Sequence, residues 1–197
     1  MNTTAVKILV VDDEPPIRKL LRVGLGAQGY TVNEAHNAAA AQASVDEDRP
    51  DLIVLDLGLP DKSGQDLLIG WREDGMQIPV VILSSRTDEA GIVKALESGA
   101  DDYVTKPFGV NELAARIRVA LRHRLQQQGE KAIFQTGGLS IDLVKRIVKV
   151  EGKEIKLSPK EYDILRVLAQ HAGKVLTHQF LLKQIWGPAA DVQYLRV

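Results

Sequence analysis

Short apolar runs alternate with stretches of helical spacing along the first half of the chain. The runs have strand length and are rich in β-branched residues, and they read KILVV, YTVNEA, DLIVLD, PVVILS and DDYVTK. Between them, apolar residues recur three and four positions apart, as in amphipathic helices. Strands that alternate with helices predict a parallel sheet covered by helices on both faces. DLIVL and VVIL lack polar alternation, so we expect them at the centre of that sheet.

The pattern changes in the last third of the chain. Residues 126–131 are polar and contain a glycine, which predicts a linker between a domain at 1–125 and a second at 132–197. Beyond it, LSIDLVKRIVKVEGKEIKLS alternates as antiparallel strands do, and Gly152 marks a hairpin. The second domain is therefore predicted to begin with a small antiparallel sheet.

Two helices are predicted to follow this sheet. Ser158 is placed as the N-cap of the first, with Glu161 three residues later as in a capping box, and Gly173 ends it. Thr177 and Gly187 mark the start and end of the second helix in the same way.

The composition excludes several kinds of protein. The chain has 197 residues and no cysteine, so it has no disulfide framework and no thiolate metal site. Its longest apolar runs have only strand length, and its N-terminus lacks the pattern of a secretory signal. We therefore expect no membrane span and a cytoplasmic location.

The net charge of −1 hides an asymmetry between the two parts of the chain. Residues 1–125 carry 14 basic and 19 acidic side chains, net −5, whereas residues 126–197 carry 11 and 7, net +4. A basic part after an acidic one suggests that only the second part meets a polyanion. The alternative is a chance segregation of charges that merely solvate the surface.

One glycine motif suggests a nucleotide site but lacks its context. GLGAQG contains Gly24, Gly26 and Gly29 in the spacing of the dinucleotide fingerprint. That motif requires a strand directly before it, whereas here a helix is predicted at this place. The glycines are expected to end that helix and to form the turn that follows it.

Chemically active side chains follow four of the predicted strands. Asp12 and Asp13 come after the first strand, Asp56 after the third, Ser84 ends the fourth, and Lys106 follows the fifth. The carboxyl ends of parallel strands form one functional edge. At a separation of about 4 Å and an effective dielectric of roughly 20, two carboxylates repel by about 4 kcal/mol. Three acids at this edge therefore favour a hard divalent cation such as Mg²⁺, with the lysine balancing a phosphoryl group opposite.

The acidic pair has a simpler alternative role. Asp12 or Asp13 could cap the helix that Pro15 and Pro16 begin, since aspartate and proline are favoured at those positions.

Four motifs of the first half, VVDDE, LDLGLP, ILSSR and GADDYVTKPF, occur in the order and spacing of a known family. With them, the first half resembles the receiver domain of two-component response regulators. The resemblance implies a flavodoxin-like sheet of strand order 2-1-3-4-5, with Asp56 as the acceptor of a phosphoryl group. It also implies Mg²⁺ held by Asp12, Asp13, Asp56 and the backbone carbonyl of Gly58.

The same resemblance implies a switch around the acceptor. Ser84 and Lys106 would contact the phosphoryl group, Tyr103 would be the aromatic switch that turns inward, and the bond from Lys106 to Pro107 would be cis. Taken alone, Ser84 and Tyr103 are equally compatible with a strand-end hydroxyl and a half-buried aromatic residue.

The second half resembles the winged-helix DNA-binding domain of the OmpR/PhoB family, on the segment LSPKEYDILRVLAQHAGKVLTHQFLLKQIWG. The resemblance implies three partners, namely a sensor histidine kinase, promoter DNA and a second copy of the chain. It also favours control of the high-affinity potassium-transport operon. The recognition helix would begin near Asp191, so that Tyr194 and Arg196 are the available candidates for DNA contact. We expect a fragment that is incomplete at its C-terminus and binds DNA poorly.

The family dimerises through the fourth helix, fifth strand and fifth helix of the receiver. The candidate residues for this face are Asp101, Asp102, Glu112, Arg116, Arg118 and Arg122. Alternatively, these charges form only the solvated face of an amphipathic helix.

Two other functions remain open at this point. A Mg²⁺-dependent phosphatase or phosphotransferase would need a substrate pocket, and no further acid-base motif is present for one. A receiver that acts through protein contacts alone would not need the second half. The resemblance favours a transcription factor that is not an enzyme, beyond accepting a phosphoryl group and slowly losing it.

Overall fold

The computed structural model describes residues 5–129 and 131–186. One compact unit spans Val6–Gln127, and the residues from Gln128 onward belong to a second. Among the described residues, no helix has both the length and the low polarity that crossing a bilayer requires.

The first unit alternates strands and helices. Its strands are β1 (Lys7–Val11), β2 (Thr31–Ala35), β3 (Leu52–Leu55), β4 (Val80–Ser84) and β5 (Asp102–Thr105). Its helices are α1 (Pro15–Gly26), α2 (Ala38–Asp48), α3 (Gly64–Glu73), α4 (Glu89–Glu97) and α5 (Val110–Gln127). All strand pairs are parallel, in the order β2-β1-β3-β4-β5, which confirms the predicted fold.

The sheet places one pair of strand ends at its centre. Every residue of β3 and β4 is buried, as the unbroken apolar runs predict. The strand order reverses between β1 and β3, where Val11 is paired with Leu55. Asp12 directly follows Val11, and Asp56 directly follows Leu55. Both acids therefore lie at the topological switch point, where parallel sheets bind their ligands.

Two of the three glycines of GLGAQG form a helix end and a turn, as predicted. Helix α1 ends at Gly26, and Gly29 has a φ of +90° in the turn that leads to β2. Gly24 lies inside the helix, where a Cβ would come within 2.6 Å of Cγ1 of Val110 at the start of α5. The absence of a side chain at Gly24 thus allows the two helices to approach closely.

The second unit begins with an antiparallel sheet. Its strands are β6 (Ile133–Thr136), β7 (Leu139–Asp142), β8 (Ile147–Val150) and β9 (Lys153–Ile155), hydrogen-bonded in that order. Glu151 and Gly152 both have positive φ between β8 and β9, which suits a tight hairpin and confirms the predicted turn.

Two helices follow, α6 (Pro159–Gln170) and α7 (His178–Trp186). The predicted capping box is present, because Ser158 accepts from the backbone of Glu161 and the Glu161 carboxylate accepts from the backbone of Ser158. Thr177 accepts from the N–H of Phe180 at the start of α7, also as predicted. The buried residues Ile141, Val148 and Tyr162 form the centre of the hydrophobic core of the second unit.

The predicted end of the second helix and the predicted DNA-reading residues lie outside the described residues. They are Gly187, Asp191, Tyr194 and Arg196.

Candidate functional site

Three carboxylates meet at the carboxyl edge of the parallel sheet. Asp12, Asp13 and Asp56 each offer an oxygen atom within 4.8 Å of the others. Asp12 is 1% exposed and Asp56 is 7% exposed, whereas Asp13 is exposed to solvent. The acids that the sequence placed at separate strand ends are thus neighbours in space.

Backbone amides fix two of these acids. The Oδ1 atom of Asp12 accepts from the N–H of Glu14 at 2.8 Å, and Oδ1 of Asp56 accepts from the N–H of Gly58 at 3.1 Å. The peptide of Asp56 is itself held to β1, because its N–H donates to Val11 O at 2.8 Å. Gly58 contacts Asp56 through its N–H, and a role for its carbonyl in binding metal stays a prediction.

Lys106 lies among the acids and not opposite them. Its Nζ donates to Oδ2 of Asp12 and Oδ2 of Asp56, both at 2.8 Å, and to Oε1 of Glu14 at 3.0 Å. An ammonium has three N–H donors, so these three carboxylates use all of them. The peptide bond from Lys106 to Pro107 is cis, as predicted.

Glu14 is a member of the site that the sequence reasoning missed. Its backbone is the N-cap of α1, and its side chain, 54% exposed, reaches Lys106 at the open side of the cluster. The available signal was its place directly after the acidic pair in VVDDE.

Burial and hydrogen bonding have opposite effects on the pKa values of Asp12 and Lys106. Burial raises the pKa of Asp12, and the hydrogen bonds from Lys106 and from the N–H of Glu14 offset only part of that rise. Burial lowers the pKa of Lys106, but its hydrogen bonds to Asp12, Asp56 and Glu14 outweigh this effect and raise it above the usual range. The ammonium therefore stays charged at neutral pH.

Ser84 and Tyr103 are linked through the backbone of one residue. Ser84, 3% exposed, accepts from the N–H of Arg86 at 3.3 Å, and the hydroxyl of Tyr103 donates to Arg86 O at 3.0 Å. Tyr103 is 9% exposed and belongs to the core, so its ring already points inward. Arg86 was not predicted, because it contributes only backbone atoms to this link.

The donor set suits a hard cation. Among the described residues, the three side chains that come close enough to bind one metal ion are all carboxylates. Mg²⁺ prefers oxygen ligands and retains several waters. The exposure of Asp13 leaves one side of the cluster open to such waters. The residues thus fit the predicted ion.

The predicted dimer-face residues do not share one set of contacts. Arg116 pairs with Asp102 and Glu112, each at 3.0 Å. Arg118 instead donates to Gln28, in the turn after α1. Arg118 therefore points away from the charge cluster around Asp102.

Two further members of this face were also predicted. Asp101 accepts from the N–H of Val80 at 2.8 Å and pairs with Arg72 at 3.2 Å, and burial raises its pKa. Its carboxylate thus connects parts of its own chain. Arg122 is exposed on α5.

Two protein families match the chain. The response regulator receiver domain matches residues 8–118, and the C-terminal domain of transcriptional regulatory proteins matches residues 152–197. Both matches agree with the two units of the structure.

Individual relatives match over most of their length. The transcriptional regulatory protein KdpE of Mycobacterium tuberculosis is 44% identical over 96% of this chain and 85% of that protein. The KDP operon transcriptional regulatory protein KdpE of Escherichia coli is 41% identical, with the same shares covered. The crystal structure of the response regulator DrrB, a Thermotoga maritima OmpR/PhoB homolog, is 34% identical, with a TM-score of 0.54 over 97% of this chain and 84% of that one.

Proposed function

Because the chain belongs to the response regulators that join a receiver domain to a transcriptional regulatory C-terminal domain, we propose that phosphorylation of Asp56 controls its binding to promoter DNA. The observation that carries this proposal is the position of Asp56. Its buried carboxylate contacts Lys106 and lies beside Asp12 and Asp13 at the switch point of the sheet.

The proposed reaction is phosphoryl transfer to a carboxylate. A carboxylate oxygen of Asp56 attacks the phosphorus of a phosphohistidine on the kinase, an O–P bond forms, and the N–P bond breaks with its electrons going to the imidazole. The product is an acyl phosphate on Asp56. Lys106 offsets the charge on the phosphoryl oxygens, and the fixed N–H of Gly58 orients the acceptor.

The metal would be held by Asp12, Asp13, Asp56 and the carbonyl of Gly58. When bound, Mg²⁺ supplies positive charge that offsets the repulsion between the carboxylates and the incoming phosphoryl oxygens. The convergence of three carboxylate oxygens supports this assignment.

We propose a population shift as the switching mechanism. Phosphoryl oxygens that bind Ser84 and Lys106 favour the arrangement in which Tyr103 is inward. The link from Ser84 to Tyr103 through Arg86 supports this coupling, because a shift of the Ser84 hydroxyl reaches the tyrosine hydroxyl through the backbone of one residue.

The output is transcription control by a dimer. Residues 1–125 act as the receiver, 126–131 as the linker and 132–197 as the DNA-binding domain, with Tyr194 and Arg196 as candidates for DNA contact. The dimer forms through the face made by α4, β5 and α5, on which Arg116 is the central charge. The relatives named KdpE support the finer proposal that the chain acts in the cytoplasm on the operon for high-affinity potassium transport.

Labelling by a small phosphodonor tests the acceptor. We expect the chain to gain one phosphoryl group from acetyl phosphate in the presence of MgCl₂, as read by intact mass, and Asp56→Asn to gain none. Asp74→Asn is the matched control, because Asp74 is exposed at the C-terminal end of α3. Continued labelling of the Asp56→Asn variant would show that another residue is the acceptor.

A further inference from the structure

Arg18 connects the end of β1 with α1 and β2. Its NH1 donates to the carbonyl oxygen of Asp12 at 2.7 Å, and its Nε lies 3.5 Å from Oε2 of Glu34. The side chain is only 15% exposed, so it is held in place along most of its length. A hydrogen bond from a guanidinium is roughly twice as strong as one between neutral groups.

This hydrogen bond acts on the peptide between the two acids. The carbonyl of Asp12 belongs to the peptide that continues into Asp13, and a peptide unit is planar. Fixing that oxygen therefore limits the directions in which the Asp13 side chain can leave the backbone. The N–H of Asp12 is held as well, by Ala35 O at 3.1 Å.

Glu34 holds Arg18 in this position. In β2 it is paired with Val10 of β1, two residues before Asp12, and its carboxylate also binds Arg22 at 2.7 Å. A planar guanidinium can contact Asp12 O and Glu34 at the same time with different nitrogens, which a lysine ammonium does less well. Arg22 is 56% exposed, and its ion pair is with Glu34.

We infer that Arg18, held by Glu34, is a positioning residue for the metal site, which fixes the peptide between Asp12 and Asp13 so that both carboxylates reach one ion. The inference rests on the proposed function, because it concerns the Mg²⁺ that phosphorylation requires. Partners that orient metal ligands typically change metal affinity by about 10- to 100-fold when they are mutated.

Electrostatics alone predicts the opposite effect, which makes the inference testable. A guanidinium repels a divalent cation, so the loss of its charge would tighten Mg²⁺ binding if charge were its only contribution. Loss of positioning would weaken binding. The direction in which Arg18→Met changes the Mg²⁺ affinity therefore distinguishes a charge effect from a positioning effect. Arg18→Lys removes the planar guanidinium while retaining the charge.

The experiment is an NMR titration of the full chain with MgCl₂, followed on the backbone amides of residues 12 and 13. We expect the Kd for Mg²⁺ to rise about tenfold in Arg18→Met, less in Arg18→Lys, and to stay near the wild-type value in Arg22→Met. At saturating MgCl₂, labelling by acetyl phosphate should recover in both Arg18 variants. That recovery distinguishes a positioning role from a loss of the folded receiver.

Other outcomes overturn the inference. Tighter or unchanged Mg²⁺ binding by a folded Arg18→Met variant would show that Arg18 contributes only charge or stability. If that variant does not fold, Glu34→Gln replaces it, and an unchanged Kd there has the same meaning. A wild-type chain that binds no Mg²⁺ would overturn the proposed function together with the inference, whereas normal wild-type binding with unaffected variants overturns the inference alone.

Discussion

The backbone of Gly64, the first residue of α3, lies directly against the carbonyl group of Asp56. A Cβ at residue 64 would overlap that oxygen and would come within 2.9 Å of the Cα of Leu57. The N–H of Gly64 also donates to Leu57 O at 3.1 Å. Only glycine lets the helix begin this close to the end of β3, so Gly64 helps to set the position of Asp56.

Replacing Gly64 should therefore disturb both stability and phosphorylation. We expect Gly64→Ala to lower the free energy of unfolding of the receiver by about 1–3 kcal/mol, since the neighbouring atoms are backbone and cannot move aside cheaply. Acetyl phosphate labelling should fall as well. Urea unfolding followed by the fluorescence of Trp71, in a Trp186→Phe background, reports the receiver alone.

Gly70 provides the control in the same helix. The nearest atom to a Cβ there is Nζ of Lys62 at 4.0 Å, so an alanine fits. Gly70→Ala should raise stability by up to about 1 kcal/mol, the difference between the helix propensities of alanine and glycine. If Gly64→Ala and Gly70→Ala lowered the free energy of unfolding equally, the close approach of Gly64 to Asp56 would not be the cause of the destabilisation.

Asp61 should make the stability of the receiver depend on pH. Its carboxylate accepts from the N–H groups of Ala38 and Ala39, at 2.9 and 3.0 Å, which are the first two of α2. These hydrogen bonds lower the pKa of Asp61 below 3.8, the ordinary value of an aspartate in an unfolded chain. The stabilisation is present above that unfolded-state value and is lost as the pH falls through the lower folded-state pKa.

We expect Asp61→Asn to be less stable than the wild type at pH 7 and the difference to disappear in strong acid. Urea unfolding of both proteins at a series of pH values measures it. Asp74→Asn, which changes an exposed acid that accepts no hydrogen bond from α2, controls for net charge. If the difference in the free energy of unfolding stayed constant down to the lowest pH, its cause would be packing and not the charge of the carboxylate.

Lys106 should compete with Mg²⁺ for the same oxygen atoms. Its ammonium already contacts Asp12 and Asp56 at 2.8 Å, so Lys106→Met removes a cation from two proposed metal ligands. We expect Mg²⁺ affinity to rise about tenfold, well within the limit that Coulomb's law sets for charges about 4 Å apart. Labelling by acetyl phosphate should nevertheless fall, because Lys106 is the proposed partner of the phosphoryl oxygens.

Thermal unfolding with and without MgCl₂ measures this competition. Without the metal, Lys106→Met should unfold at a lower temperature than the wild type. Adding MgCl₂ should raise its unfolding temperature more than that of the wild type, because a ligand that binds the folded state stabilises that state. Lys19→Met, on the exposed side of α1, is the control for charge. A smaller rise in unfolding temperature on adding MgCl₂ in Lys106→Met than in Lys19→Met would contradict the idea that Lys106 and Mg²⁺ share a site.

The sequence predicted which functional side chains lie at the ends of four strands, but not every contact that these side chains make. Parallel strands bring their carboxyl ends to one edge, so the meeting of Asp12 with Asp56 follows from the strand order. The contact of Glu14 with Lys106 joins residues 92 positions apart, and no periodic pattern encodes it. The hydrogen bond from Arg72 to the carbonyl of Gly99, 27 positions away, is a similar case.

The orientation of α5 separates two arginines that the sequence had grouped together. Arg116 pairs with Asp102 and Glu112 on the proposed dimer face, whereas Arg118 donates to Gln28 on the side of α1. Two residues along a helix differ by about 200° in direction, so both side chains cannot lie on one face. Arg116→Ala should therefore weaken the proposed dimer of the phosphorylated chain, and Arg118→Ala should leave it intact.

The expected size of this effect follows from the exposure of the pair. Exposed ion pairs contribute up to about 1 kcal/mol each, so Arg116→Ala should raise the dimer dissociation constant about fivefold. Sedimentation equilibrium of the acetyl phosphate-treated chains measures it, with Asp56→Asn as the monomeric reference. Because Arg116 binds two acids of its own chain, its loss also frees Asp102 and Glu112 to repel a partner. An equal weakening by Arg118→Ala would place the dimer interface on the α1 side of α5 and reject the proposed face.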